Sequence, residues 1–205
     1  MPTSLQEKNE GWLSVTEVLD AFIPKGLLDW YLKTGKKEAR RISTVAMKIG
    51  SRVDQLIQDD VNTGSYKLSS KDPIEVKNCM EAWESFKKDY QPKIKATQIE
   101  VKSEREKLVG HIDLIMDGMV VDIKCASSIK DNYWLQVAKY ADMYRTDLLG
   151  LAILRLDKNL GTYQFVKSHQ ANKQPNLLVD VYNGLLEAYR YYNAPKEQEE
   201  VCQTS

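Results

Sequence analysis

Asp117-Gly118 stands between two runs that each read as a β-strand, Val109–Met116 and Met119–Cys125. This dipeptide is a strong short-range hairpin signal, because a two-residue loop of the favoured kind needs positive φ at its centre. With the loop placed there, Met116 faces Met119, Asp113 falls opposite Asp122, and His111 falls opposite Lys124. Directly opposed residues on an antiparallel pair have Cβ atoms roughly 4.5–5.5 Å apart, and like charges at that range repel. Two carboxylates in such a register are a poor structural pair. A divalent cation between them removes the objection, since hard cations such as Mg²⁺ are held by one or two carboxylates plus substrate phosphates.

The strand period puts Asp122 and Lys124 on one face and Val121, Ile123 and Cys125 on the other. The triplet acid-x-Lys also occurs at Glu75-Val76-Lys77 and Glu100-Val101-Lys102. Glu75 opens a helix, where an acid suits the dipole, and Glu100 has no acid on a paired neighbour. Only Asp122-Ile123-Lys124 has such a partner, in Asp113. Just beyond it, Gln136 and Tyr140 sit at i, i+4 on one helix face.

The remaining pattern is mixed. Trp12-Leu13-Ser14-Val15-Thr16 reads as a capped helix entry, and Leu27–Arg41 as a helix. Val45, Ile49, Val53, Ile57 and Val61, joined by Leu56, predict a helix over 44–61. Val76, Cys79, Met80, Trp83 and Phe86 form the inner side of another over 74–90. Ala96–Lys102 alternates as a strand, Asp131–Tyr144 is helical, and Gly150–Leu156 and Thr162–Lys167 read as strands. A last amphipathic helix over 176–192 carries Leu177, Leu178, Val181, Leu185 and Tyr189. The expected organisation is one composite domain: a helical N-terminal region over 1–95, a core over 96–193 and a disordered polar tail over 194–205.

The 205 residues are 42% hydrophobic and 28% charged with zero formal net charge, so any nucleic-acid contact must come from local patches. No apolar run approaches the ~20 residues of a membrane span. Met1–Glu10 lacks the apolar region of a signal peptide. Cys79, Cys125 and Cys202 are scattered and lack CxxC spacing, which argues against a zinc site, an iron–sulfur cluster or a disulfide framework. A reducing, cytoplasmic setting is expected, that of a host cell if the chain is phage-encoded.

The set Gly110-x-x-Asp113, Asp122-x-Lys124 and Gln136-x-x-x-Tyr140 resembles the PD-(D/E)XK nuclease superfamily. Leu13-Ser14-Val15-Thr16, Trp30, Gly35 and Gly50-Ser51-Arg52-Val53 look like its RecB-like, phage-type exonuclease branch, which also holds the mitochondrial genome maintenance exonucleases. The resemblance implies an α/β fold: a restriction-endonuclease-like core, in which helices flank a central mixed sheet, with a helical N-terminal region. It implies a catalytic set of Asp113, Asp122, Lys124, Gln136 and Tyr140. Asp113, Asp122 and the carbonyl of Ile123 would ligate one or two Mg²⁺ or Mn²⁺ ions, with Glu100 supporting through water. This branch usually carries a metal-ligating His one turn after the glycine of the early helix. Here Asp54 stands in that region, either as an oxygen ligand in its place or as a solvated helix acid.

DNA is the expected partner, as single-stranded or duplex ends. Candidate contacts are Lys36, Lys37, Arg40 and Arg41 in a basic run, Arg52, His111, and the aromatics Tyr133 and Trp134, which could stack on bases. Solvated faces and core packing are the plainer readings of these. The expected activity is a Mg/Mn-dependent deoxyribonuclease acting from free, single-stranded ends, in phage biology or in DNA recombination, repair or replication. A structure- or site-specific endonuclease is the alternative within the fold. A DNA-binding module without catalysis is the alternative outside that class. No membrane association is expected, and the oligomeric state is open.

Overall fold

The Asp117-Gly118 hairpin closes as expected, with φ of 48° and 73° at its two loop residues and Met116 paired with Met119. The computed structural model describes residues 11–22, 24–144 and 150–194. Cys202 and the expected tail from 195 onward lie outside the described residues.

The elements in chain order are β1 (Leu13–Ser14), α1 (Val15–Asp20), α2 (Lys25–Thr34), α3 (Lys36–Thr63), α4 (Ile74–Tyr90), β2 (Ile94–Ser103), β3 (Leu108–Met116), β4 (Met119–Cys125), α5 (Asp131–Tyr144), β5 (Gly150–Leu156), β6 (Tyr163–Lys167) and α6 (Pro175–Asn193). They build an α/β fold with a mixed six-stranded sheet. β3 is the hub. One of its edges carries β2, antiparallel, from Ser103↔Leu108 to Ile94↔Met116. The other edge is shared: β4 pairs antiparallel with its end at Leu114–Met116, and β1 pairs parallel with its start at Leu108–Val109. Residues 110–113 therefore face a gap in the sheet. Beyond β4, β5 adds in parallel and β6 in antiparallel fashion.

Helices cover both faces. α3 and α4 pack Val53, Leu56, Trp83 and Phe86 on Leu114, Val121, Ile123 and Leu154. α1, α5 and α6 pack Val15, Val137 and Tyr182 on Ile112, Ile115, Val120 and Ile153. The alternation along β4 and β5 follows the period of two. It fails at one place on β3. Ile112 and Ile115 share a face although they are three residues apart, and Leu114 lies on the other. The change of face falls at Asp113. Opposite it on β2, Gln98 has a left-handed backbone, φ 51°, an uncommon conformation for a non-glycine residue.

Several local expectations change. Leu27–Arg41 is not one helix: Gly35, at φ 81°, separates α2 from α3. α3 runs 28 residues, about 42 Å at 1.5 Å per residue. Val45, placed on its inner face by spacing, is 44% exposed, because the sheet is reached only from Ile49 onward. On α6 the buried residues are Tyr182 and Leu186, whereas Leu177 and Val181 are exposed. The Tyr182 hydroxyl donates to the Val15 carbonyl at 3.1 Å, and that bond sets the helix rotation. The five inner residues of α4 are all fully buried as expected.

Candidate active site

The gap beside 110–113 opens into a cleft of about 690 Å³, within the usual range for ligand sites. Asp113 and His111 come from β3, Ile123 and Lys124 from β4, Gln136 and Tyr140 from α5, and Asp54 from α3. β1 and α1 add Ser14, Thr16 and Glu17 to the lining, and Trp12 joins it just before them.

Asp113 and Asp122 lie one step past the last paired residues, Leu114 and Val121. The hairpin count makes them a directly opposed pair, but they are not one in the ladder, because the strands part there. The Asp113 carboxylate instead accepts the Ile123 backbone N–H at 2.7 Å. A side chain thus replaces the missing strand partner and carries an acid into the gap. On the β2 side, Thr97 Oγ1 donates to the Asp113 carbonyl at 2.8 Å, and the Gln98 amide adds to the support of its carboxylate. His111 does not face Lys124. It pairs with Glu100 on β2, Nε2 to Oε2 at 3.8 Å.

Asp122 is 1% exposed. Its Oδ1 accepts from Lys124 Nζ at 2.8 Å, and its Oδ2 is buried without a hydrogen-bond partner among the described residues. Burial, reinforced by the neighbouring Asp113 charge against the opposing pull of Lys124, pushes the Asp122 pKa up to about 7. Burial, then the charges of Asp113 and Asp122, likewise push Asp54 up to about 7. Asp113 is raised mainly by burial. Lys124 moves the other way. Burial opposes its charge, but Asp122 and Asp113 outweigh that and hold the ammonium more firmly protonated than usual. The site thus gathers more negative charge than one ammonium balances.

Tyr140 is 5% exposed, and its hydroxyl accepts from Gln136 Nε2 at 3.0 Å. Burial and the Asp122 charge push its pKa up to about 12, so it stays a neutral donor. Gly110 makes this position available, because a Cβ there would overlap the Tyr140 ring. The Tyr133 ring lies 5.2 Å from Lys124 Nζ.

Among the described residues, no group of three or more His, Cys, Asp or Glu forms a ready metal shell. Asp113 and Asp122 are each engaged by a protein donor. The residues nevertheless fit a hard divalent cation. Asp113, Asp122 and Asp54 feel one another's charge, one buried Asp122 oxygen lacks a partner among the described residues, and all are oxygen donors.

Other expected residues are placed elsewhere. Glu100 is not in the cleft lining. It pairs with Lys102 at 3.0 Å on the rim, because the position opposite Asp113 belongs to Gln98. Trp134 is 2% exposed and belongs to the core under α5, which takes it out of reach of a base. Arg52 is committed to Asp72 through both Nε and an Nη, each at 3.0 Å. Arg41 is clamped on Glu38 of its own helix. Lys36, Lys37 and Arg40 are exposed on the first turns of α3. Trp12 and Glu17 line the cleft and Gln98 supports the Asp113 carboxylate, and spacing alone gave none of them a role at the site. The hairpin register offered one signal for Gln98, since it counts to the position across from Asp113.

No protein-family model and no curated protein matches the chain. Among solved structures, the "Putative exonuclease" from Eubacterium rectale is similar at 17% identity and a TM-score of 0.52, covering 90% of this chain and 88% of that one. The alkaline exonuclease of Laribacter hongkongensis aligns at 12% identity and a TM-score of 0.44 over 91% and 93% of the two chains. Its complex with dAMP aligns at 12% identity and a TM-score of 0.41 over 90% and 92%. The first likeness shows a shared fold.

Proposed function

We propose that the chain is a PD-(D/E)XK nuclease, a metal-dependent exonuclease that hydrolyses DNA phosphodiester bonds from free ends. The observation that carries this reading is the convergence of Asp113 and Lys124, with Asp54, Gln136 and Tyr140, in one cleft, and of Asp122 buried behind Lys124 at 2.8 Å, in a fold shared with a structure called a putative exonuclease.

Asp113, Asp122 and Asp54 would hold a Mg²⁺ or Mn²⁺ ion, whose chemistry there is polarisation of the phosphoryl group and acidification of a water. The chain's own groups do the rest. Lys124, held charged by two carboxylates, offers its ammonium to the oxygens that gain charge as the P–O bond breaks. It cannot serve as a general base, which would need a lowered pKa. Gln136 and the Tyr140 hydroxyl fix the wall of the cleft beside it. Lys36, Lys37 and Arg40 supply phosphate contacts away from the reacting atoms. Single-stranded ends are the preferred substrate in this reading, with a cleft of about 690 Å³ on the scale of a small ligand such as a nucleotide. DNA recombination, repair or replication, in a cell or a phage-infected host, is the setting this activity suits. No helix among the described residues is long and apolar enough to cross a membrane.

The test is end-labelled single strands, linear duplexes and closed circles incubated with Mg²⁺, Mn²⁺ or chelator. Linear substrates should be consumed only with metal, circles should persist, and Lys124→Ala should abolish the reaction. Cleavage of circles would turn the reading to an endonuclease. No metal-dependent loss of any substrate would end the nuclease reading.

A further inference from the structure

Trp12 sits one residue before β1 and lines the cleft. Its backbone is pinned on both sides. Gly11 turns at φ 81°, and the Leu13 N–H donates to the Lys107 carbonyl at 2.9 Å. Its side chain belongs to neither hydrophobic cluster and is partly buried. The indole is therefore a partly buried aromatic that lines the cleft without joining the core. Two ammonium groups lie over the ring, Lys107 Nζ at 5.1 Å and Lys102 Nζ at 5.7 Å from its centroid. Both lysines belong to the β2–β3 hairpin that also carries Asp113. The same cavity runs from this ring to Asp113 and Lys124 without interruption.

We infer that Trp12, with Lys102 and Lys107 against its ring, is a stacking platform that seats the base of the nucleotide next to the scissile phosphate. The inference rests on the DNA reading above and adds how the cleft holds its substrate. An indole face accepts any base, so the platform favours an unpaired nucleotide without selecting sequence. A base inside a duplex has both faces covered by its neighbours, and a terminal pair offers only its outer face, so a paired base can be seated between the ring and its own strand only by unstacking. The platform therefore selects for frayed or single-stranded ends. Charge contributes little here. Lys102 is paired with Glu100 at 3.0 Å and Lys107 with Glu104 at 3.2 Å, so the local lysines are already neutralised. Affinity at this position comes from stacking and is nearly independent of salt, unlike the contacts expected of the exposed basic turns of α3.

The experiment uses the full chain carrying Lys124→Ala to prevent turnover, with Mg²⁺ present. The probes are a short single-stranded oligonucleotide and the same strand with an abasic end nucleotide. Trp12→Ala should weaken binding of the intact strand on the order of tenfold to a hundredfold, the range that base–aromatic stacking carries. Trp12→Phe should recover most of it, the salt slope should not change, and the abasic strand should bind all forms equally weakly. An intact and an abasic strand binding the unsubstituted platform alike would overturn the inference, even if Trp12→Ala fails to fold. So would Trp12→Phe falling as far as Trp12→Ala. If the Trp12 variants bind DNA as the parent does, the platform alone fails. If the wild-type chain neither binds nor cleaves DNA, the nuclease reading fails with it.

Discussion

Gly110 lies directly under the Tyr140 ring, and no other residue type fits there without displacing it. The spacing Gly-x-x-Asp thereby acquires a physical meaning: bare backbone lets an α5 side chain rest on β3 beside the Asp113 carboxylate.

Gly110→Ala should destabilise the fold by about 1–3 kcal/mol, the usual cost of overpacking. In a chain of this size that lowers Tm by roughly 2–4 °C per kcal/mol. Adding Tyr140→Ala should recover part of the loss, because the clash partner is gone. Thermal melts of the four forms give the coupling, and strictly additive losses would show that the two residues do not meet.

Asp122→Asn tests the unpartnered oxygen. The amide still accepts from Lys124 but removes a buried charge, so Tm in chelator should change by only a few degrees. Nuclease turnover should fall by on the order of 10²–10³ or more, the scale of losing one electrostatic contact in a reacting site. The rise in Tm on adding Mn²⁺ should shrink or vanish. Calorimetric melts with and without metal check both halves.

Asp54 and Asp122 have folded pKa values pushed up to about 7, against an ordinary value near 3.9 in the unfolded chain. Between these values the folded state binds more protons, so stability from these groups falls as pH rises from about 4 to 7. In chelator, Tm should therefore drop across this window. Mg²⁺ should raise Tm far more at pH 8 than at pH 5, since protonated carboxylates bind it poorly. Asp54→Asn should flatten the chelator profile. A profile that rises with pH and ignores Asp54→Asn would contradict the proposed charge balance.

Replacing Lys36, Lys37 and Arg40 together by Ala should leave Tm nearly unchanged, since all three are exposed. If all three neutralise phosphates of a single strand, the slope of log affinity against log salt should become shallower by roughly 2. Fluorescence titrations at several salt concentrations measure it.

Lys139 is fully buried, and its ammonium donates to Glu106 at 2.9 Å, Asp142 at 2.9 Å and Asn183 at 3.0 Å. It ties the helix bearing Gln136 and Tyr140 to the β2–β3 turn and to α6. Lys139→Met takes the donor from the partly buried Glu106 and Asn183 and from the more exposed Asp142, and should cost about 1–3 kcal/mol. Denaturant melts would show this as a lower midpoint.

Much of the fold was readable because it rests on short-range rules. The left-handed demand of a two-residue loop marks Asp117-Gly118 as a turn, and the register of Met116 and Met119 follows. The inner side of α4 follows from helical spacing because that helix is buried along one continuous stripe. The misassignments on α3 and α6 have one common origin. Val45, Leu177 and Val181 repeat at helical intervals yet are exposed, since spacing reports which residues share a face and not whether another element covers it. Trp134 fails for the converse reason: its neighbour Tyr133 reaches the site and it does not, which is a matter of 100° of helix rotation. Glu100 drops out because β2 changes conformation at Gln98, and a count of alternate residues assumes that no such change occurs.

Local pattern alone determined that this chain makes a hairpin bearing Asp113, Asp122 and Lys124, followed by a helix bearing Gln136 and Tyr140, because turns and periodicities depend on neighbours a few residues apart. Only the tertiary structure decided that β4 leaves β3 after Leu114, that β1 fills the same edge further along, and that Asp54 and Trp12 look into the opening between them. Those facts depend on which distant segments compete for one strand edge, and no interval along the chain encodes that competition.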